Sequence, residues 1–134
     1  MLNARNLLLG AICIVVLAVV IIGGKYLISV QNYKKTISNL KIGTVDLSKV
    51  SDGEYIGSYD VGYVGAKVSV SVKDHKIEEI HLLEHKNERG TPAEVIPDMV
   101  LKAQSLQVDT ISGATNSSKT ILKAIENALA SYKS

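Results

Sequence analysis

The sequence predicts an α+β fold: a small antiparallel sheet packed with two helices, preceded by one N-terminal transmembrane helix. Three observations predict it. Residues 6–24 contain no charged side chain, and Leu7 to Ile22 is almost wholly apolar. Residues 55–84 alternate apolar and polar side chains between turn residues, the period-2 pattern of half-buried strands. Residues 116–132 carry apolar side chains at helical spacing.

A length of 134 residues leaves room for one small domain and an anchor. The expected division is an anchor at 1–25, a spacer at 26–50 and a globular domain at 51–134. The formal net charge is +2, without the concentrated basic face of a nucleic-acid-binding protein. Cys13 is the single cysteine and lies inside the apolar run, so no disulfide framework and no thiol metal site are expected. His75, His81 and His85 are spread along a strand pattern without metal-ligand spacing, and no metal is expected. Trp and Phe are absent, which leaves six tyrosines as the aromatic packing material.

Taken in order, the first element is the apolar run between Arg5 and Lys25. At about 1.5 Å per residue it spans the roughly 30 Å hydrocarbon core of a bilayer. A cleavable signal peptide is the alternative, but Gly23 and Gly24 follow Ile21 and Ile22 and form a poor small-x-small site. Gly10-Ala11-Ile12 before Cys13 does not form a lipoprotein signal. Lys25, Lys34 and Lys35 follow the run, while Arg5 and the N-terminal amine precede it. By charge balance alone this would keep the C-terminal domain in the cytoplasm. Val30, Tyr33 and Ile37 have helical spacing, so the helix is expected to run past the membrane and end by Gly43.

Asp46-Leu47-Ser48 and Ser51-Asp52-Gly53 read as turns, and the domain is expected to begin near Ser51. Tyr55 to Tyr59 is a short strand and Gly62-Tyr63-Val64-Gly65 a glycine-rich turn. Val68, Val70 and Val72 alternate with polar residues in a second strand. Asp74-His75 makes the hairpin turn, and Lys76 to Glu84 is the third strand, with Ile80 and Leu82 on one face and Glu79 and His81 on the other. Glu84 to Gly90 reads as a charged loop. Pro97 fits the first turn of a helix running to about Gln104, with Met99, Val100 and Ala103 on its apolar side. The last helix, Asn116 to Tyr132, carries Ile121, Ile125, Ala128, Leu129 and Tyr132 in one stripe with Leu122 at its edge.

The chain is organised around Asp109-Thr110-Ile111-Ser112-Gly113-Ala114-Thr115, directly before that helix. Gly113 can adopt positive φ, and neither it nor Ala114 has bulk to block a ligand approaching the backbone. The first-turn N–H groups, from Asn116 to Lys119, lack intrahelical acceptors and favour an anion such as phosphate. Thr115 is expected at or near the N-cap, with Ser118 and Lys119 as further polar groups. Ser-Gly-Ala-Thr taken alone also reads as an ordinary loop with a hydroxyl cap.

Asp-x-x-Ser-Gly-Ala-Thr resembles the flavinylation motif of the FMN-binding domain family. That family includes flavin subunits of ion-pumping NADH:quinone and ferredoxin-linked reductases and small membrane-anchored flavoproteins. The resemblance extends over about residues 52–131, through Asp52-Gly53-x-Tyr55-x-Gly57, Gly62-Tyr63-x-Gly65 and Lys73-Asp74-x-Lys76-Ile77. It implies that Thr115 carries FMN through a phosphoester bond made by a dedicated FMN transferase. Asp109, Ser112, Gly113 and Ala114 fall on the motif that the transferase recognises. A phosphoester there would be favoured by the helix dipole by roughly 0.3–1 kcal/mol. Many members carry a His-x-Glu-Thr-Pro-Gly-like segment against the flavin; this chain keeps His85 and Gly90 but has Asn87-Glu88-Arg89 between Lys86 and Gly90. If that loop faces the ring, Lys86 or Arg89 would stabilise a reduced, anionic isoalloxazine.

The expected cofactor-binding set is therefore Thr115 (covalent FMN), Ser112, Gly113, Ala114, Asn116, Ser118 and His85, with Asp109 for transferase recognition and no catalytic residue or metal ligand. The implied function is an electron carrier rather than an enzyme with its own substrate. It would be a single-pass protein of the cell membrane with its C-terminal domain extracytoplasmic, where the family's attachment chemistry takes place. Its expected partners are the FMN transferase and a membrane-bound donor such as a dehydrogenase or quinone-linked complex, and no nucleic acid. The alternative is a non-redox anchored module that binds a phosphorylated ligand or a partner protein at the helix N-terminus.

Overall fold

A long first helix, α1 (Ala4–Ser38), contains a stretch long and apolar enough to cross a membrane. The computed structural model describes residues 3–87 and 90–133. Leucines, isoleucines and valines stand exposed all round α1 from Leu7 to Ile28, and none of its apolar window is buried. A helix apolar on every side suits a hydrocarbon surround. The chain divides into two compact units, Met1–Lys35 and Thr36–Ser134.

The second unit is built on three antiparallel strands in the order β1-β2-β3: β1 (Gly53–Asp60), β2 (Gly65–Lys73) and β3 (Lys76–Lys86). The β2–β3 connection is the two-residue turn Asp74-His75, with φ of 50° and 61°. Positive φ at both central residues matches the right-handed twist of the flanking strands. Asp52 Oδ1 accepts from Asp74 N at 2.9 Å and fixes this corner. One face of the sheet is the core. It carries Val68, Val70 and Val72, with Tyr55 and Tyr59 from β1 and Ile77, Ile80 and Leu82 from β3 packed alongside. The other face is mostly polar and open, with Ile56 exposed on it; Ser69 there is 3% exposed and donates to Glu54 Oε1.

β3 runs two residues past the expected Glu84, and its register slips twice against β2. Lys67 pairs with Glu84 but Val68 pairs with Leu82, so Leu83 is an extra residue. A bulge of this kind reverses the alternation beyond it. Ile80 and Leu82 face the core, and past Leu83 it is His85, opposite Ala66, that turns the same way. Lys86 consequently points to the open face.

Two helices cover the core face. α3 (Thr115–Ala130) lies on β1 and β2, and α2 (Ile96–Ala103) on β3. Ile121, Leu122, Ala124, Ile125, Ala128 and Leu129 of α3 are all at most 2% exposed, so Leu122 is core rather than edge. Each large side chain so buried contributes about 1.5–3 kcal/mol. α3 can approach closely because β1 offers Gly57: a Cβ there would lie 2.7 Å from Ala128 Cα. On α2, Ile96, Pro97 and Val100 are buried, whereas Ala103, expected on the apolar side, is exposed. α2 ends on Gln104 in the left-handed conformation. The Gln104 amide accepts from Ile77 N at 2.8 Å and donates to Ile77 O at 2.9 Å and Leu101 O at 2.7 Å, so it pairs the edge of β3 as a neighbouring strand would. The compact unit starts before the expected Ser51: Val50 is fully buried, and Ile42, Val45 and Leu47 pack against the same core.

Candidate functional site

Residues 111–114 form a hydrogen-bonded turn, with Ala114 N donating to Ile111 O at 2.9 Å and Gly113 at φ +78°. Glycine at the third position of such a turn is the type II arrangement. A Cβ on Gly113 would meet nothing within 4 Å, so backbone conformation alone demands glycine, and the space above it is open. Ala114, 5% exposed, anchors the turn in the core and is the N-cap of α3. Thr115 is thus the first helical residue, next to the N-cap. Ala114 has no side-chain oxygen to cap the helix, and no side-chain cap bond forms. Thr115 is exposed, as are Asp109, Ser112 and Gly113, while Asn116 is half-buried. The helix therefore begins with exposed Thr115, and Ser118 N, expected to lack an acceptor within the helix, donates to Ala114 O at 2.9 Å.

Ser118 is placed differently from the expectation. It is fully buried, and its hydroxyl accepts from Ile111 N at 3.0 Å while donating to Ala114 O at 2.8 Å. Both contacts brace the turn, so Ser118 positions Thr115 instead of facing a ligand. Lys119, one turn beyond Thr115, reaches the carbonyl oxygen of Ile37 at 3.4 Å.

Beyond β3, Gly90 meets the same helix turn. His85 has a side chain only 3% exposed; its Nδ1 lies 3.0 Å from Glu94 Oε1, and its Nε2 is buried without a partner among the described residues. Asn87 Oδ1 accepts from Gly90 N at 2.8 Å. Gly90 is pressed against Ser117, where a Cβ would overlap the Ser117 hydroxyl, so only glycine lets the loop pass this close to α3. Lys86 takes no part: its ammonium pairs with Asp60 Oδ2 at 2.8 Å on the open face. Arg89, its expected companion, and Glu88 lie outside the described residues.

The arrangement fits a flavin phosphate joined at Thr115, on three grounds. An accessible hydroxyl stands at the head of a helix. A glycine turn beside it leaves the backbone approachable. A buried imidazole nitrogen without a partner among the described residues lies near the end of β3. Among the described residues no group of His, Cys, Asp and Glu side chains is placed to hold a metal ion. Glu94 and Ser117 escape a reading of the sequence. His85 meets Glu94 nine positions on and Gly90 meets Ser117 twenty-seven positions on, and no periodicity encodes that.

A family model described as FMN-binding domain matches residues 62–130, from the turn before β2 to the end of α3. A curated relative, the NADH:acrylate oxidoreductase of Vibrio harveyi, is 39% identical over 85 residues. The match covers 60% of this chain and 8% of that protein, so the chain corresponds to a small part of its relative.

Proposed function

The chain belongs to the FMN-binding domain family, and from that premise we propose that it is a membrane-anchored electron carrier with FMN esterified to Thr115 Oγ1. FMN supplies one- and two-electron transfer when bound. The protein's share is to hold it: Thr115 by the ester oxygen, Ser112, Gly113 and Ala114 through an open backbone, Asn116 and its neighbours through the first helical turn, His85 from the end of β3. The observation that carries this reading is the exposed Thr115 hydroxyl at the first position of α3, on a turn locked by buried Ser118.

An FMN transferase installs the flavin, with exposed Asp109 and the residues after it as its recognition sequence. A dehydrogenase or quinone-linked complex in the membrane delivers the electrons, and an extracytoplasmic acceptor removes them. That the relative is an oxidoreductase supports a redox role for the shared segment. Extracytoplasmic placement agrees with covalent attachment, because a dissociating cofactor would be lost outside the cell.

The test is co-expression with an FMN transferase, followed by denaturation and removal of small molecules. Retained yellow colour in wild type and its loss in Thr115→Ala support the carrier. A colourless wild type under these conditions transfers the site to a non-redox module binding a phosphorylated ligand or a partner protein.

A further inference from the structure

We propose that Lys119 is the phosphate counter-ion of the flavin site: its ammonium rests on Ile37 O in the unloaded protein and moves to the phosphoester once Thr115 is esterified. The proposal rests on the flavin reading above. Thr115 and Lys119 stand four positions apart in α3 and share one face of it, with Cβ atoms about 5–6 Å apart. The Cα–Cβ bond of a helical residue tilts toward the N-terminus, so the Lys119 stem starts back toward the turn that Thr115 opens. An anion at one position and a lysine four positions on is the favourable order for a helical ion pair. Esterification of Thr115 Oγ1 puts a negative charge at the first of those two positions.

Without that anion, Lys119 is poorly placed. A cation near a helix N-terminus opposes the helix dipole. The first turn of α3 holds no acidic residue, and its N-cap makes no side-chain bond. The ammonium contacts a carbonyl oxygen, Ile37 O, at 3.4 Å, longer than the usual N–H···O range. Other lysines nearby in the fold are committed to carboxylates. Lys123, one turn further along α3, pairs with Glu126 Oε2 at 3.0 Å, and Lys86 with Asp60 Oδ2 at 2.8 Å.

The move away from Ile37 leaves little behind. Ile37 O also accepts from Leu40 N at 3.1 Å, so it keeps a donor when the ammonium departs. Lys119 is half-buried, and an ion pair formed there is screened less than one on open surface. The pair fixes the phosphate against the helix face, and with it the direction in which the flavin leaves Thr115. Lys119 is thus a positioning residue of the site.

The test uses the full-length protein, made with and without a co-expressed FMN transferase, purified in detergent and checked for loading by intact mass. Side-chain ¹⁵N NMR of the lysines reads the ammonium directly: the Lys119 Nζ signal is expected to move on loading and the Lys123 signal to stay. In ³¹P NMR of loaded protein, Lys119→Met should displace the phosphoester signal, and Lys119→Arg should return it toward wild type. Loading should raise the urea midpoint of wild type more than that of Lys119→Met. A role confined to Ile37 predicts instead an equal loss with and without flavin, which separates the two by a double cycle. That equal loss overturns the proposal, and so does a Lys119 signal unmoved by loading. The wild-type ¹⁵N result decides alone if Lys119→Met fails to fold. Wild type without added mass removes the flavin reading and this proposal together, whereas loaded wild type with an unmoved Lys119 removes only this proposal.

Discussion

The hydroxyl oxygen of Ser118 accepts the amide N–H of Ile111 at 3.0 Å, across seven positions and inside the core. The same hydroxyl donates to Ala114 O. A helix residue thereby grips the turn that leads into its own helix, and Thr115 stands on the outside of that grip. In Ser118→Ala the Ile111 N–H loses its acceptor, with an expected cost of about 1–3 kcal/mol. Urea denaturation should show that loss, and mass spectrometry a smaller flavinylated fraction at equal expression. An unchanged midpoint would contradict the bracing role.

Gly57 lets α3 lie against β1. Gly→Ala inside a strand is ordinarily favourable by about 0.5–1 kcal/mol. Here the added Cβ would meet the α3 backbone at Ala128 and Ala124, which cannot rotate away. Gly57→Ala is therefore expected to destabilise by about 1–3 kcal/mol or more. A neutral or stabilising result in chemical denaturation would mean that α3 does not pack this closely.

Gln104 offers a test with two opposed terms. Gln104→Ala removes three hydrogen bonds, two of them to Ile77 on β3, and should cost about 1–3 kcal/mol. The backbone at this residue has φ 52°, where glycine avoids the strain of a Cβ. Gln104→Gly should therefore recover about 0.5–1 kcal/mol of the alanine loss. Equal stabilities of the two variants would show that the left-handed cap is not populated.

Asp60 gives a pH dependence with a definite sign. Its carboxyl is held below its ordinary value, first by the hydrogen bond from Lys86 and then by the N–H of Gly62. A carboxyl that binds its proton more weakly when folded stabilises the fold fully above about pH 4. That contribution is lost as pH falls through the lowered folded value. The pair is exposed and screened, so Asp60→Asn should cost no more than about 1 kcal/mol at neutral pH. Urea midpoints of wild type and Asp60→Asn should converge on acidification below about pH 4. A gap that persists there would exclude the ion pair as its cause.

The parts of the fold legible in the sequence are those written in periodic burial. Val68, Val70 and Val72 announce β2, Asp74-His75 its turn, and the stripe from Ile121 to Leu129 announces α3. What stayed hidden depends on breaks in that periodicity. The alternation through Ile80 and Leu82 would send His85 to the open side and Lys86 to the core; one extra residue, Leu83, exchanges them. Ser118 looks like a surface hydroxyl until the turn before it curls back, and Ala103 looks like core because Gln104 ends the helix only after it. Val50 carries no strand or helix signal, yet it is fully buried. The Thr115 motif was legible because its residues are contiguous. Its surroundings were not, because Glu94 meets His85 and Gly90 meets Ser117 only through the tertiary fold.

The central claim is a phosphoester at one hydroxyl, and peptide mass spectrometry of the protein from its native membrane tests it most directly, in cells where the FMN transferase is active. The account predicts that the tryptic peptide spanning residues 103–119 carries the mass of FMN less one water, with fragment ions placing it on Thr115, and that Thr115→Ala leaves this peptide unmodified. An unmodified wild-type peptide, or fragment ions that place the flavin on Ser112, Ser117 or Thr110, would contradict it.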